Sequence, residues 1–200
     1  PEGNPYVEHG DDIYVITEWV EGRECDFRNF DETVNASSTL AKLHKASKGY
    51  EIYEGAKLKS DLGRWYHLMS KRRDGLKKMK SIAESKLDKT EFDRVYIDNV
   101  ELYIGLANEA IDTLARSDYD NVVRRAIEEK GFCHHDYTYH NIIIDKEENL
   151  HVIDFDYCKY EVRSYDITSF LIKVLKRNSW SFELSKTLID EYVKVNPIEE

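Results

Sequence analysis

The sequence has little of the residues that shape unusual folds: of 200 residues, only three are Pro, nine are Gly and three are Cys. So few Pro and Gly exclude collagen-like and low-complexity chains. An odd number of widely spaced cysteines argues against a disulfide framework and favours a reducing compartment. Because 41% of the residues are hydrophobic and 12% are aromatic, we expect a folded chain of one domain or slightly more.

Long apolar runs are also missing. No run approaches the roughly 18 apolar residues that cross a bilayer, and the N-terminal region lacks a basic stretch followed by an apolar one. We therefore expect no membrane segment and no signal peptide, which predicts synthesis in the cytoplasm. The chain begins at Pro1 rather than Met and stops at Glu200 without an evident closing element, so we expect a fragment of a longer protein.

Negative charge dominates the composition. Lys and Arg number 29 against 39 Asp and Glu, giving a net charge of −10. This excess argues against binding of nucleic acid or acidic lipid over the whole surface. Residues 57–80, here called the basic segment, run the other way with nine Lys or Arg and two Asp. The basic segment is either a solvated helix face or a docking surface for an anionic partner.

Apolar periodicity predicts a mostly helical chain with one β-hairpin. Residues 13–20 are β-branched and aromatic after a turn signal, which predicts a buried strand. Spacing of three and four residues predicts a helix over 91–116, whose stripe from Phe92 to Leu114 we expect to be core. Two runs at 141–145 and 150–153 predict the hairpin. Further helices are predicted over residues 31–48, 61–87 with a weak point at Gly75, 119–130 ending at Gly131, 165–177 and 180–195.

Polar residues gather at the open end of this predicted hairpin. Asp136 and Asn141 precede its first strand, and Asp154 follows its second strand. Because a hairpin brings its open ends together, we expect the three side chains to converge. Carboxylate and amide oxygens suit Mg²⁺, and a carboxylate can orient or deprotonate an attacking hydroxyl group. The trio therefore predicts transfer of a phosphoryl group from a nucleotide.

The neighbouring residues have simpler interpretations beside the chemical ones. His134 is expected to hydrogen-bond the main chain near the turn rather than act as a base. Asp156 either supports the site or caps the local chain. Asp166 opens a predicted helix, where an acid stabilises the helix dipole, and its functional alternative is to support the loop at Asp136. Cys133 is expected to be buried and protonated, and the His and Cys residues nearby lack the paired spacing of zinc sites.

Two segments resemble known motifs. HHDYTYHN at 134–141 and VIDFDY at 152–157 resemble the H-G-D-x-x-x-x-N and I-D motifs of the aminoglycoside phosphotransferase and choline kinase superfamily. Nearly the whole chain is similar to spore coat proteins of the CotS type. The similar segments are ITEWVEGRE, LAKLHKASKGY, DLGRW, TEFDRVYIDNV, GFCHHDYTYHNIIID, VIDFDYC and residues 163–166.

The resemblance implies an α+β, protein-kinase-like fold. Residues 1–22 would be the end of the small lobe and the hinge. Residues 23–200 would be the helical large lobe, with a catalytic loop at 132–158 and a truncated C-terminus. The location implied by the resemblance is the spore coat.

The resemblance also implies a role for each site residue. Asp136 would be the catalytic carboxylate and His134 the catalytic-loop histidine. Asn141 and Asp154 would bind Mg²⁺. The supporting carboxylates would be Asp156 and Asp166, and the hinge residues that hold the adenine of ATP would be Glu18, Trp19 and Val20.

The chain departs from the family pattern in two ways. His135 stands where the superfamily has Gly, and its side chain would crowd the approach to the loop. The sequence also contains neither a glycine-rich loop nor a strand Lys paired with a helix Glu. We therefore expect this chain alone to bind Mg²⁺-ATP weakly or not at all.

Two hypotheses about function stay open at this point. The first is a phosphotransferase that uses ATP and Mg²⁺ and acts on a hydroxyl group of a small molecule, a polysaccharide or a coat protein. The second is a catalytically inactive structural module that binds other spore coat proteins.

Overall fold

The computed structural model describes residues 6–52, 55–56 and 58–198. Within these ranges it is an α+β protein, which confirms the predicted fold class. The helices are α1 (Phe30–Ala46), α2 (Trp65–Ser85), α3 (Glu91–Arg116), α4 (Tyr119–Glu129), α5 (Ser164–Leu175) and α6 (Phe182–Val195). The strands are β1 (Val7–His9), β2 (Asp12–Tyr14), β3 (Arg23–Glu24), β4 (Lys59–Ser60), β5 (Phe132–Cys133), β6 (Ile142–Ile144), β7 (Leu150–Val152) and β8 (Lys159–Tyr160).

The strands form three small sheets. β1 pairs with β2, β6 lies between β3 and β7, and β8 lies between β4 and β5. The β6–β7 pair confirms the predicted hairpin, with Ile142 opposite Val152 and Ile144 opposite Leu150. Gly22 allows β3 to approach this hairpin, because a Cβ atom at position 22 would collide with the carbonyl oxygen of Ile144. The hairpin is thereby fixed against the chain that enters α1.

The core lies where α1, α5 and α6 pack around the hairpin. In α1 the side chains of Ala36, Leu40 and His44 recur every fourth residue and are buried, as expected for one face of a helix. Asn29 caps the helix by accepting hydrogen bonds from the main-chain N–H groups of residues 31 and 32. The other large buried side chains include Phe27, Tyr137, Ile142, Ile144, Phe170, Val174, Leu188 and Tyr192.

All six predicted helices are present, with shifted ends in five of them. The helix over 91–116 has the predicted bounds. α2 runs without a break through Gly75, where the sequence predicts a weak point. α4 stops one residue earlier than expected, because Lys130 rather than Gly131 adopts the left-handed conformation, with φ of 51°. None of the helices in the described ranges is long and apolar enough to cross a bilayer.

The prediction of a buried strand over residues 13–20 is wrong. The strand covers only Asp12–Tyr14, and its side chains are exposed. Beyond it, Ile16 and Trp19 are 92% and 86% exposed. β1 supplies main-chain hydrogen bonds to β2, but among the described residues no element covers the side chains of this segment.

The expectation that the α3 stripe is core is correct for only part of it. Val100 is buried, whereas Phe92 and Tyr103 are 75% and 56% exposed. The helix hairpin of α2 and α3 explains the difference. α2 packs against one side of α3, where Ile104 and Ile111 are also buried, and leaves the adjoining side to solvent.

Candidate active site

The open end of the β6–β7 hairpin is the candidate active site. The chain leaves β5, passes Asp136 and forms one 3-10 turn at Tyr139–Asn141 before β6 begins. On the returning side, the main-chain N–H of Ile153 donates to the carbonyl oxygen of Asn141 over 3.0 Å. Asp154 therefore begins directly beside Asn141.

Asn141 and Asp136 are in contact. The side-chain amide nitrogen of Asn141 donates to the main-chain oxygen of Asp136 at 2.9 Å and to its carboxylate Oδ2 at 3.3 Å. Because the nitrogen of the amide faces Asp136, the amide oxygen is the end that can bind a cation. Asn141 itself is only 3% exposed, so its side chain is held in this orientation by its surroundings.

Asp154 presents an exposed carboxylate at the same end of the hairpin. Its φ angle of 62° lies in the left-handed region, which costs a non-glycine residue on the order of 1 kcal/mol and is concentrated at functional sites. The Oδ1 atom of Asp154 accepts a long hydrogen bond of 3.5 Å from the main-chain N–H of Asp156. Within the described part of the chain, the carboxylate of Asp156 is exposed and accepts no hydrogen bond. No contact therefore supports either of its expected roles, which were to support the site or to cap the local chain.

His134 connects the two sides of the loop. Its Nε2 atom lies 2.9 Å from the carbonyl oxygen of Ile153, and its Nδ1 atom accepts a hydrogen bond of 3.3 Å from the main-chain N–H of Asp136. Both contacts are satisfied by the neutral tautomer with the proton on Nε2. Since His134 is fully buried, this geometry suits a scaffold residue and leaves no ring atom for a substrate.

Asp166 lies in the first turn of α5, and its carboxylate hydrogen-bonds the main chain just before Asp136. Its Oδ2 accepts from the main-chain N–H of His134 at 2.6 Å, and its Oδ1 accepts from that of His135 at 2.9 Å. Nε2 of His44 lies 3.1 Å from Oδ2, and Nδ1 of His44 lies 2.8 Å from the hydroxyl of Tyr192. Burial alone would raise the pKa of Asp166, but the hydrogen bonds from His44 and from the loop lower that pKa below its ordinary value.

Lys173 is a site residue that sequence reasoning missed. Its Nζ atom donates to Oδ1 of Asp136 at 3.2 Å and to the main-chain oxygen of Tyr137 at 3.1 Å. Lys173 follows Asp166 by seven residues, which places both on one face of α5. That spacing was the available signal. One helix face thus binds the N–H groups before Asp136 and the carbonyl group after it.

His135 occupies a position that favours glycine. Its φ angle is 68°, in the left-handed region, which explains why a Gly suits this point of the loop. The imidazole stacks on Tyr165 with ring centroids 4.0 Å apart. Burial and nearby Lys159 lower the pKa of His135, which favours the uncharged ring. Among the described residues, its Nε2 is the buried side-chain atom without a hydrogen-bond partner.

The predicted hinge residues lie before β3. Glu18 and Trp19 are exposed and Val20 is partly buried, in a stretch without regular structure. In the described chain no hydrogen bond joins these residues to Asp136, Asn141 or Asp154. Their role in holding adenine stays a prediction.

A buried group of potential metal ligands lies behind the loop. His44, Cys133 and Asp166 place ligand atoms within 4.8 Å of one another. Burial raises the pKa of Cys133 well above its ordinary value, and its Sγ contacts the carbonyl oxygen of Glu161 at 3.5 Å. Because the imidazole and the carboxylate are already hydrogen-bonded to each other, the group acts as a brace for the loop. It offers no open position to a metal.

Comparison with known proteins places the chain beside spore coat proteins. The sequence model of a family described as "Spore coat putative kinase YutH" matches residues 2–200. Spore coat protein S of Bacillus subtilis is 27% identical over 192 residues, which are 94% of this chain and 53% of that protein. A probable choline kinase 3 of Arabidopsis thaliana is 46% identical over 43 residues, 21% of this chain and 12% of that protein.

Solved structures support the kinase-like fold. An aminoglycoside phosphotransferase from Alicyclobacillus acidocaldarius superposes with a TM-score of 0.79 at 25% identity, over 97% of this chain and 56% of that one. An ethanolamine kinase of Plasmodium vivax gives a TM-score of 0.52 at 17% identity, over 96% and 52%. This chain matches these three proteins over nearly all of its own residues. It spans only about half the length of spore coat protein S and of the two solved chains. The predicted resemblance and kinase-like fold are confirmed.

Proposed function

The chain belongs to the spore coat YutH kinase family, and from this premise and the geometry of its catalytic loop we propose that the complete protein is a phosphotransferase. It would move the terminal phosphoryl group of ATP to a hydroxyl group. We propose the spore coat as its location, because the family and the relative from Bacillus subtilis carry that description. The acceptor classes that fit are a small molecule, a polysaccharide or another coat protein.

The observation that carries this proposal is the arrangement of Asp136, Asn141 and Asp154 at one end of the hairpin. Asn141 turns its amide nitrogen to Asp136. Asp154 is exposed and follows Ile153, whose main-chain N–H bonds the carbonyl oxygen of Asn141. The three side chains offer hard oxygen donors, the type that Mg²⁺ prefers. Three carboxylates at this end, those of residues 136, 154 and 156, meet one bonded ammonium group, that of Lys173. The remaining negative charge favours a divalent cation.

Each residue then has a step that its position allows. Asn141 and Asp154 would hold Mg²⁺, which when bound neutralises charge on the nucleotide phosphates. Asp136 would accept a hydrogen bond from the acceptor hydroxyl and take its proton while the hydroxyl oxygen bonds to the terminal phosphorus and ADP leaves. His134 and Asp166 would keep the loop in the shape that points Asp136 at the acceptor.

The experiment that tests this proposal changes Asp136→Asn in the complete protein. General-base groups contribute about 10²- to 10⁴-fold to rate, so phosphoryl transfer should fall by roughly a hundredfold or more while the melting temperature hardly changes. Asp190→Asn, an exposed acid on α6, removes the same charge and should leave transfer unchanged. Equal rates for wild type and Asp136→Asn would show that this carboxylate does not act in the reaction.

A second candidate function is an inactive module of the spore coat. The hydrogen bonds of Asp136 favour it, because Lys173 donates to Oδ1 and Asn141 donates to Oδ2, so both carboxylate oxygens already have partners within the protein. An inactive module predicts no consumption of ATP and normal incorporation of Asp136→Asn into the coat. If Asp136→Asn instead fails to incorporate, catalysis is the better explanation.

A further inference from the structure

The outer side of α3 is an apolar face without a partner among the described residues. Its five large side chains are each more than half exposed and recur at spacings of three, seven, one and three residues, which places them on one side of the helix. They are Phe92, Val95, Leu102, Tyr103 and Leu106. The exposed acids Glu91, Asp98 and Glu109 run along its edge. These eight residues are the α3 outer face.

The outer side of α2 has the opposite charge. Lys71, Lys78 and Ile82 recur at seven and four residues on one side of the helix, and Arg72 and Met79 lie beside them. All five are exposed, and they are the α2 outer face. Over its whole length α2 holds six Lys or Arg against two acids, whereas α3 holds two Arg against six acids.

The same two helices already pair with each other inside the chain. Lys80 of α2 donates to Glu101 of α3 at 2.7 Å, and the hydroxyl of Tyr96 donates to the main-chain oxygen of Leu76 at 3.2 Å. Val100 is buried between them. A basic–apolar side of α2 against an acidic–apolar side of α3 is therefore a stable pairing in this protein.

We propose that the α3 outer face of one copy docks on the α2 outer face of a second copy. The charges oppose each other in this arrangement, whereas two α3 outer faces would bring acids together and two α2 outer faces would bring lysines together. The contact is head-to-tail, so each copy keeps one free face of each kind and can extend a chain of copies unless a ring closes. A contact between two helices buries less than about 1,200 Å² of surface, and interfaces of this size are typical of weak association. This inference is independent of phosphoryl transfer.

The test measures the mass of the complete protein by sedimentation velocity as its concentration is raised. One variant carries Leu102→Glu and Leu106→Glu on α3, and another carries Lys71→Glu and Lys78→Glu on α2. All four side chains are exposed, so both variants should fold, which circular dichroism and the melting temperature check. A control variant with Lys45→Glu and Lys186→Glu has the same change of charge as the α2 variant, on exposed sites elsewhere.

The head-to-tail contact makes a distinctive prediction for these variants. Wild type and the Lys45/Lys186 control should form species larger than dimers as concentration rises, and association of each face variant alone should weaken by about tenfold or more. An equimolar mixture of the two face variants should form dimers and stop there, because only one pair of intact faces remains. Three results would overturn the proposal: a monomeric wild type, self-association of either face variant at the wild-type level, or a mixture that stays monomeric.

Discussion

The brace under the catalytic loop is open to a direct test by Asp166→Asn. The carboxylate is fully buried and accepts three hydrogen bonds, from two main-chain N–H groups of the loop and from His44. An amide of the same size has one oxygen instead of two. In either orientation of the new amide side chain, its NH₂ group faces the main-chain N–H of His134 or that of His135. At least one buried donor therefore loses its acceptor.

The expected cost follows from that count. A hydrogen bond to a charged group contributes about 1.5–3 kcal/mol, and an unsatisfied buried donor adds about 1–3 kcal/mol. Asp166→Asn should therefore lower the free energy of unfolding by roughly 3 kcal/mol, the lower end of the range for breaking a buried charged pair. His44→Gln should cost less, because the two loop contacts of Asp166 remain.

The assay is urea unfolding followed by circular dichroism at several pH values. The pKa of Asp166 is lowered in the folded protein, so its stabilising contribution is complete above the unfolded pKa of about 3.9 and is lost as pH falls through the lower, folded pKa. The difference between wild type and Asp166→Asn should be largest near neutral pH and should shrink in acid.

Asp156→Asn is the matched control, since this carboxylate is exposed and close in sequence to the same site. It should change the free energy of unfolding by no more than about 0.5 kcal/mol. If Asp166→Asn costs as little as this control, or if its cost does not depend on pH, then the hydrogen bonds of the Asp166 carboxylate do not stabilise the loop.

Three further outcomes are expected. Thr90→Ala should lower the free energy of unfolding by about 1 kcal/mol, because Thr90 caps α3, and unchanged urea unfolding would contradict this. Lys173→Met should lower kcat of the complete protein by about 10²-fold, because Nζ of Lys173 holds the carboxylate of Asp136 in position, and KM for ATP should stay unchanged. Lys173→Arg should partly restore kcat, whereas an equal loss in this variant would indicate a packing role. Cys158 should be the first cysteine to react with a thiol reagent, because Cys25 and Cys133 are buried. Its reaction at pH 8 should be slow, because burial raises the pKa of Cys158 to about 12. Mass spectrometry of the labelled peptides identifies the order.

Local sequence patterns predicted the elements better than their burial. The period of three and four residues gave the bounds of α3, and the alternation around Ile142 and Val152 gave the hairpin, because both patterns are set by the geometry of the element itself. Burial depends on what packs on each face. Within the described ranges, no neighbouring element covers the side chain of Trp19 or Phe92, and no short-range sequence pattern reveals such a lack of cover.

In the candidate site too, contacts set by local geometry could be predicted from the sequence, whereas contacts set by packing could not. The gathering of Asn141 with Asp154 could be predicted, because the pairing of β6 with β7 places the ends of the two strands side by side. Lys173 and His44 could not be found in this way, since Lys173 lies 37 residues from Asp136 and His44 lies 122 residues from Asp166 along the chain. Their contacts depend on how α1 and α5 pack around the loop.

Calorimetric titration of Mg²⁺-ATP into the complete protein tests most directly the proposal that Asp136, Asn141 and Asp154 form a site for Mg²⁺-ATP. We expect saturable binding that Asp154→Asn weakens by more than about tenfold, with weak or absent binding to these 200 residues alone. Absence of binding to the complete protein, or equal binding by Asp154→Asn, would contradict the claim.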